Sequence, residues 1–365
     1  MEKLKRVFLL CFSIFIFSGV LYSETISPEV IEKVRESIVL LSSNESSTPS
    51  VQSPNALCAG VVIDEVGHIL TNFHCIYKQK IINLYYYDEN DWKEYEVKVI
   101  GKDPLADLAL LEVPERTKKV SYLKIANVDD IQLGMEVFAF GHPMGMAWSL
   151  SKGIISSTNR YARHPYIKAI QIDAAINKGN SGGPVINSKG EIVGVASLLV
   201  SRTTQNAGVG IAIRGDVAKK SLAVMLELGK VDRPAIGVSI IPLWGKTGQR
   251  EKILKDNPDI KRSIPNTYGL LVSKATPKRP IPKGLNPWDT IIGIKDTLIN
   301  NDVEFSEQLL KYKIGQTITV SILRDKRFMR IDNITLKILP VPTDLMYGNL
   351  LKPTLPIPIK PKKIP

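Results

Sequence analysis

Gly179-Asn180-Ser181-Gly182-Gly183-Pro184 is the stretch whose reading decides the fold. Glycines on both sides of Ser181 remove Cβ atoms beside its hydroxyl. They also let backbone N–H groups converge on one point, as a developing oxyanion requires. Taken alone, the stretch also fits a glycine-rich hairpin turn, or the strand-to-helix elbow that carries a nucleophilic serine in open α/β sheets. In that second architecture the partner histidine follows the serine in the chain. Here there are four histidines, His68, His74, His142 and His164, and all precede Ser181. A nucleophilic Ser181 therefore depends on an upstream histidine. With an aspartate between them the order is His, Asp, Ser, one of the convergent forms of this triad.

His74 is the best base. It lies in Leu70-Thr71-Asn72-Phe73-His74-Cys75, directly after a strand. His68 falls in the preceding turn, where a solvated histidine is ordinary. His142 sits in the turn Gly141-His142-Pro143, and His164 in a basic polar loop. Asp107 opens the apolar run Leu108-Ala109-Leu110-Leu111, so its carboxylate is expected to be buried, and a buried carboxylate needs a partner. An imidazole N–H is such a partner, and the carboxylate in turn fixes the tautomer. Asp103 competes for the role, but the following Pro104 suggests an exposed turn.

Outward from these residues the pattern is β-rich. Short apolar runs over 59–64, 68–73, 82–88, 95–101, 108–113, 136–141, 154–158, 169–173, 191–199 and 209–213 are separated by Gly, Asn, Asp or Pro. Many short strands at this spacing predict an all-β barrel or sandwich. Ser27-Pro28-Glu29 predicts a short helix start, with Ser as cap and Pro at the first position. Ser37–Ser42 reads as a strand and Ser43–Asn55 as an exposed loop. Val217–Leu228 reads as a closing helix ended by Gly229. A second unit begins near Arg233-Pro234, with strands over 235–241, 269–275, 290–295, 317–324 and 330–339 and a helix over 303–312.

The segments at 70–75, 103–111, 140–145, 151–158, 170–185 and 208–213, in that order, resemble the HtrA/Deg family of chymotrypsin-fold serine proteases. The likeness covers most of Leu57 to Ile213, and Ile170 to Val185 is its most specific part. From Arg233 onward the chain resembles the family's PDZ domain, of which one copy is present. The segment 284–299 is similar to that domain's Gly-Leu-x-Pro-Gly-Asp-x-Ile turn, with Trp288 where the family usually has Gly. The resemblance implies a mostly β fold: a chymotrypsin-like double six-stranded β-barrel, then a small α+β PDZ-like domain. The expected boundaries are 24–231 for the protease domain and 232–340 for the PDZ-like domain, with a Pro/Lys-rich tail over 341–365.

The resemblance also implies roles. His74 takes the Ser181 proton, Asp107 orients His74, and Gly179, Asn180 and Ser181 form the oxyanion hole. Ile176, Val195, Ser197 and Ile211 line the S1 pocket, whose small and aliphatic walls suit cleavage after Val, Ala or Ile. Ile236, Gly237 and Val238 capture a peptide carboxylate on the second domain. Cys58 and Cys75 bracket two strands that run antiparallel through the turn at Glu65-Val66-Gly67. They are expected to form a disulfide beside the base, the alternative being two buried thiols. A bridge closing about 18 residues would add roughly 3 kcal/mol. The family's implied partners are unfolded proteins or peptide substrates, peptide C-termini at the PDZ-like domain, and two further copies in a homotrimer contacting through Ile26–Ser42.

Composition bounds these expectations. The 365 residues are 44 % hydrophobic and 23 % charged, ordinary for a two- or three-domain globular chain. Lys3, Lys5 and Arg6 precede the apolar run Val7 to Tyr22, so residues 1–23 read as a signal peptide or an uncleaved membrane anchor. The protein is therefore expected to be exported, to a bacterial periplasm or cell envelope. Of the net charge of +12, the segment from Val231 to Pro365 carries a surplus of +11, with 23 basic against 12 acidic residues. The bases are scattered, which favours a solvated surface over nucleic-acid binding. No metal-ligand spacing or phosphate loop stands out, and no cofactor or metal is expected. The function implied is a serine endopeptidase of the envelope acting on unfolded proteins. The alternative is a non-enzymatic chaperone or adhesion protein on a protease scaffold.

Overall fold

The structure is a computed structural model that describes residues 26–42, 58–77, 79, 82–88, 91–113, 121–143, 148–162, 164–197, 208–243, 249–258, 268–273 and 280–341. The first 23 residues, the 43–55 loop and the tail beyond Val341 lie outside them. Ser27 caps the first helix, α1 (Pro28–Glu36), its Oγ accepting the Val30 N–H at 3.3 Å. Val34, on the inner face, is fully buried. Val30 and Val34 lie over Gly190 in the second barrel, where a Cβ would come within 2.9 Å of Val30. That contact seats the helix on a turn without side-chain bulk.

The chain then enters β1 (Ile38–Ser42), buried at every position. It joins β2 (Cys58–Val62), β3 (Ile69–Thr71), β4 (Asn83–Asp88), β5 (Asp91–Glu96), β6 (Lys98–Asp103) and β7 (Leu108–Glu112) in a seven-stranded antiparallel sheet ordered β5-β4-β1-β2-β3-β7-β6. A one-turn helix, α2 (Phe73–Ile76), follows β3. The expected chymotrypsin-like fold, two β units followed by a PDZ-like domain, is borne out. The first unit is an open seven-stranded sheet among the described residues, and only the second closes. That closed barrel comprises β8 (Glu136–Gly141), β9 (Ser149–Tyr161), β10 (Lys168–Ile172), β11 (Pro184–Ile186), β12 (Ile192–Ala196) and β13 (Gly210–Arg214), ordered β10-β13-β12-β11-β8-β9.

Each unit has its own apolar interior. Val39, Leu41, Val62, Ile69 and Leu111 fill the first, and Val137, Ile155, Ile170 and Val185 the second. A larger cluster that includes Val61, Leu70, Leu110, Phe138, Phe140 and Val195 draws on both. Each of these side chains contributes roughly 1.5–3 kcal/mol on burial. The seam between the two units is therefore as apolar as their interiors. Helix α3 (Gly215–Leu228) closes the unit and ends at Gly229, which takes the left-handed φ of 68°. It lies close on β6 because Gly101 has no Cβ; one would sit 2.5 Å from Met225 Cβ.

The second domain contains β14 (Pro234–Ala235), β15 (Ile240–Pro242), α4 (Gln249–Asp256), β16 (Leu270–Val272), β17 (Thr290–Ile294), β18 (Thr297–Leu298), α5 (Asp302–Leu309), β19 (Thr317–Arg324), β20 (Arg327–Thr335) and β21 (Lys337–Ile338). β14 pairs with β21, and β15 is the end strand of the main sheet. Asn301 caps α5, accepting the Glu304 N–H at 2.9 Å. Trp288 keeps the expected turn by adopting φ 71°, and its N–H still reaches the Val272 carbonyl at 2.8 Å. Left-handed backbone disfavours a bulky residue by roughly 1–2 kcal/mol. Packing of the indole with Leu243, Leu271, Ile253 and Leu254 offsets it. The two domains touch through Tyr166 Oη, which donates to the Pro234 carbonyl at 2.5 Å, and through the Lys168–Glu307 ion pair at 2.7 Å.

Candidate active site

Asp107 occupies the turn between β6 and β7 with φ 57°, a conformation that aspartate tolerates better than most residues. Its side chain is fully buried. Three donors converge on the carboxylate. The His74 backbone N–H reaches Oδ1 at 2.9 Å, and His74 Nδ1 and Ser197 Oγ reach Oδ2 at 2.8 Å each. The Asp107 carbonyl accepts from Phe73 N at 3.1 Å and Asn72 Nδ2 at 2.9 Å, which pins α2 to this turn. A carboxylate on Nδ1 holds the proton there and leaves Nε2 as the acceptor. His74 keeps 21 % side-chain exposure, so the imidazole is reachable from solvent.

Ser181 comes from the other unit and is held across the seam. Its carbonyl accepts the Ala59 N–H at 2.8 Å. Gly182 (φ 84°) makes this approach possible, since a Cβ there would lie 2.2 Å from the Ala59 carbonyl oxygen. Cys58, next to Ala59, is bonded to Cys75, next to His74. The expected disulfide is formed. Cys75 Sγ lies 3.7 Å from His74 Nε2 and 4.0 Å from the Ser181 carbonyl oxygen, so base and serine meet around one sulfur.

Other expected residues are placed with corrections. Gly179 takes φ 103°, and a Cβ there would fall 2.1 Å from the His142 carbonyl oxygen. Asn180 is committed to its own turn. Its N–H donates to the Asn177 carbonyl at 3.0 Å and its side chain to Ala175 at 3.4 Å. It is therefore not an oxyanion donor as expected. Ser197 is not an S1 wall through its side chain, because its hydroxyl is turned to Asp107. Ile176 packs with the second-barrel interior, whereas Val195 and Ile211 belong to the cluster at the seam, so the structure does not gather them into one apolar group. Ile236 is buried, Gly237 takes φ 81°, and Val238 is half-buried.

The remaining histidines are not solvated turn residues. His68 is held by Asp64 at 2.7 Å. His142 is fully buried, and desolvation, partly offset by the Val39 carbonyl, pulls its pKa down to about 4. His164 is likewise lowered to about 4, by burial first and then by the Arg233 charge. Ser197, 90 residues from Asp107 in sequence, had no local signal of its role.

Fold and site together define a trypsin-like serine peptidase unit joined to a PDZ domain. Residues 58–195 match the trypsin-like peptidase domain family and residues 234–334 the PDZ domain family. The periplasmic serine endoprotease DegP of Escherichia coli (strain K12) is 29 % identical over 281 residues, covering 76 % of this chain and 56 % of that protein. A probable periplasmic serine endoprotease DegP-like of Bartonella henselae is 30 % identical over 292 residues, covering 80 % and 54 %. The chain thus spans a little over half the length of these relatives. Among solved structures, the HtrA-type protease AlgW with decapeptide superposes with a TM-score of 0.70 at 24 % identity, over 86 % of this chain and 98 % of that one. The serine endoprotease from Yersinia pestis gives 0.65 at 26 % identity, over 86 % and 97 %. The chain thus carries a trypsin-like peptidase domain followed by a PDZ domain, and the relatives it resembles over most of its length are named as DegP and DegP-like serine endoproteases.

Proposed function

We propose that this protein is a serine endopeptidase of the cell envelope that cleaves unfolded proteins by acyl-enzyme chemistry. The observation that carries the reading is the buried Asp107 carboxylate at 2.8 Å from His74 Nδ1, with Cys75 Sγ lying 3.7 Å from His74 Nε2 and 4.0 Å from the Ser181 carbonyl oxygen. His74 Nε2 takes the Ser181 proton as the hydroxyl attacks the scissile carbonyl. The oxyanion forms against the Gly179 and Ser181 N–H groups. His74 then gives its proton to the leaving amine, and water repeats the cycle on the acyl-enzyme. A chaperone or adhesion protein has no use for a buried carboxylate served by three donors, and no observation favours that alternative.

The resemblance further supports aliphatic S1 walls at Ile176, which is buried, and Ile211, which is half-buried, suited to Val, Ala or Ile although the two side chains belong to different apolar clusters. It supports capture of hydrophobic C-termini by the backbone at Ile236, Gly237 and Val238, with the peptide adding beside β15, the end strand of the sheet among the described residues. The names of the relatives support a periplasmic or envelope location, reached through residues 1–23 as signal peptide or anchor. Among the described residues no helix is long and apolar enough to cross a membrane. A homotrimer remains the family expectation, but β1 is enclosed between β2 and β4, so the part of Ile26–Ser42 open to another copy is the outer face of α1 with Ile26 and Ser27 before it. The test is casein digestion together with fluorophosphonate titration, with and without a hydrophobic C-terminal peptide. Digestion and labelling abolished by Ser181→Ala are expected; digestion that survives the substitution would sink the reading.

A further inference from the structure

Among the described residues one cluster gathers three metal-binding side chains, Cys58, His74 and Cys75, with ligand atoms all within 4.8 Å of one another. In the oxidised protein both sulfurs are engaged in the disulfide. We propose that reduction of Cys58–Cys75 opens a zinc site made of the two thiolates and His74 Nε2, and that zinc bound there blocks the catalytic base.

The geometry favours it. Zinc bonds of about 2.3 Å to sulfur and about 2.0–2.1 Å to nitrogen, at tetrahedral angles, set a sulfur and a nitrogen ligand about 3.6 Å apart. Cys75 Sγ already stands 3.7 Å from His74 Nε2. The same bonds set two sulfurs about 3.8 Å apart, so the cysteine pair must open after reduction. Rotation of the two side chains supplies this without moving the backbone, whose Cα atoms are 6.0 Å apart.

The surroundings are those of a metal site. Two thiolates and an imidazole select zinc or cobalt over magnesium or calcium. Ligating histidines characteristically give their other nitrogen to a carboxylate, which fixes the ring and raises its basicity. Asp107 holds His74 Nδ1 in this way at 2.8 Å, and Ser197 steadies Asp107. Cys58 and Cys75 are 3 % and 5 % exposed, which gives a dry floor, while the partly exposed His74 leaves an entry path from solvent.

The chemistry balances with a dithiol as reductant. It transfers two electrons and two protons to the disulfide, yielding two protein thiols and its own disulfide, and zinc then displaces the two thiol protons. The nitrogen that zinc occupies is the one that must accept the Ser181 proton. A chain still reduced would therefore be held silent by zinc until its disulfide forms. Metal binding stands independently of the proposed peptidase activity; only the inhibition rests on it.

The full chain, reduced with dithiothreitol and desalted without oxygen, is titrated with Co²⁺ and Zn²⁺ beside the oxidised protein. The reduced form is expected to take up about one equivalent, the three side chains leaving the fourth tetrahedral position to water, with thiolate-to-cobalt charge-transfer absorption that zinc abolishes. The oxidised form shows no such band. Asp107→Asn should weaken affinity roughly 10–100-fold, which a purely stapling role of the cysteines does not predict. Turnover of the reduced enzyme should fall in step with zinc occupancy and return with EDTA. The Cys58→Ser/Cys75→Ser variant should show no fall in turnover on adding the same zinc concentration, measured against its own zinc-free rate; should it not fold, the oxidised wild type is the control. Absence of the band in the reduced protein, a band indifferent to Asp107→Asn, or full turnover at saturating zinc would each overturn the proposal. A band without turnover in any state would count against the peptidase reading alone.

Discussion

Arg233 and Asp103 form a buried, two-armed ion pair. Nη1 donates to Oδ1 at 2.7 Å and Nη2 to Oδ2 at 2.6 Å, with the aspartate fully buried and the arginine side chain 9 % exposed. Ser221 Oγ and the Ala106 N–H complete the carboxylate's partners at 2.7 and 3.0 Å. Arg233 stands immediately before the PDZ match, and Asp103 begins the turn that presents Asp107. The pair therefore ties the start of the second domain to the loop that positions the candidate triad's carboxylate.

Breaking this pair on one side strands a buried charge. Asp103→Asn or Arg233→Met should each destabilise the protein by about 3–5 kcal/mol. Replacing both, as Asp103→Leu with Arg233→Met, should recover most of the loss, because no charge is then left unpaired. Urea denaturation of the two single variants and the double variant measures this. A double variant no more stable than the worse single one would show that packing of the turn, not charge pairing, dominates.

Ser197→Ala tests the third donor to Asp107. A hydrogen bond to a charged group contributes about 1.5–3 kcal/mol. His74 still pairs with Asp107 in the variant, so only part of that appears in the rate. The expectation is a roughly tenfold lower kcat at similar KM, one factor of ten being about 1.4 kcal/mol. Steady-state kinetics on a chromogenic peptide reads it. An unchanged kcat would mean that the His74 contacts alone fix the carboxylate.

Much of this was legible in the sequence because local chemistry announced it. Ser27-Pro28 at the start of α1, Gly229 at the end of α3 and the apolar run after Asp107 each have a short-range cause, and each formed where expected. The order of His74, Asp107 and Ser181 was likewise readable along the chain. Long-range pairings were not. Pro104 after Asp103 points to an exposed turn, while the arginine that draws the aspartate inward lies 130 residues away. Ser197 read as a pocket wall for the same reason, and β11 (Pro184–Ile186) was hidden by its three-residue length. Helix α4 carries no apolar periodicity strong enough to separate it from the loops around it.

Gly179→Ala should separate catalysis from folding. At φ 103° an L-residue is strained, and the added Cβ would collide with the His142 carbonyl oxygen at 2.1 Å. The turn must therefore shift, carrying the Gly179 N–H away from the developing oxyanion. Loss of one such donor lowers kcat by roughly 10²–10³. Turnover should fall by that order while the circular-dichroism spectrum is retained. A variant with wild-type kcat would remove Gly179 from the oxyanion hole.

Mild acid should destabilise the fold before carboxylates titrate. His142 and His164 are held neutral in the native protein, with pKa about 4 each against an ordinary 6.5. Between those values the unfolded chain binds protons that the folded chain does not, so stability rises with pH across the window. The contribution is fully present above pH 6.5 and is lost as pH falls toward 4. From pH 7.5 to 5 each histidine should remove up to roughly 2 kcal/mol of unfolding free energy. Denaturant titrations across that range measure the slope. His142→Gln, which cannot gain the proton, should reduce it by about half, given that the two histidines are lowered to similar values. A slope unchanged in that variant would mean that His142 is protonated at no free-energy penalty, and that its burial does not exclude the charge.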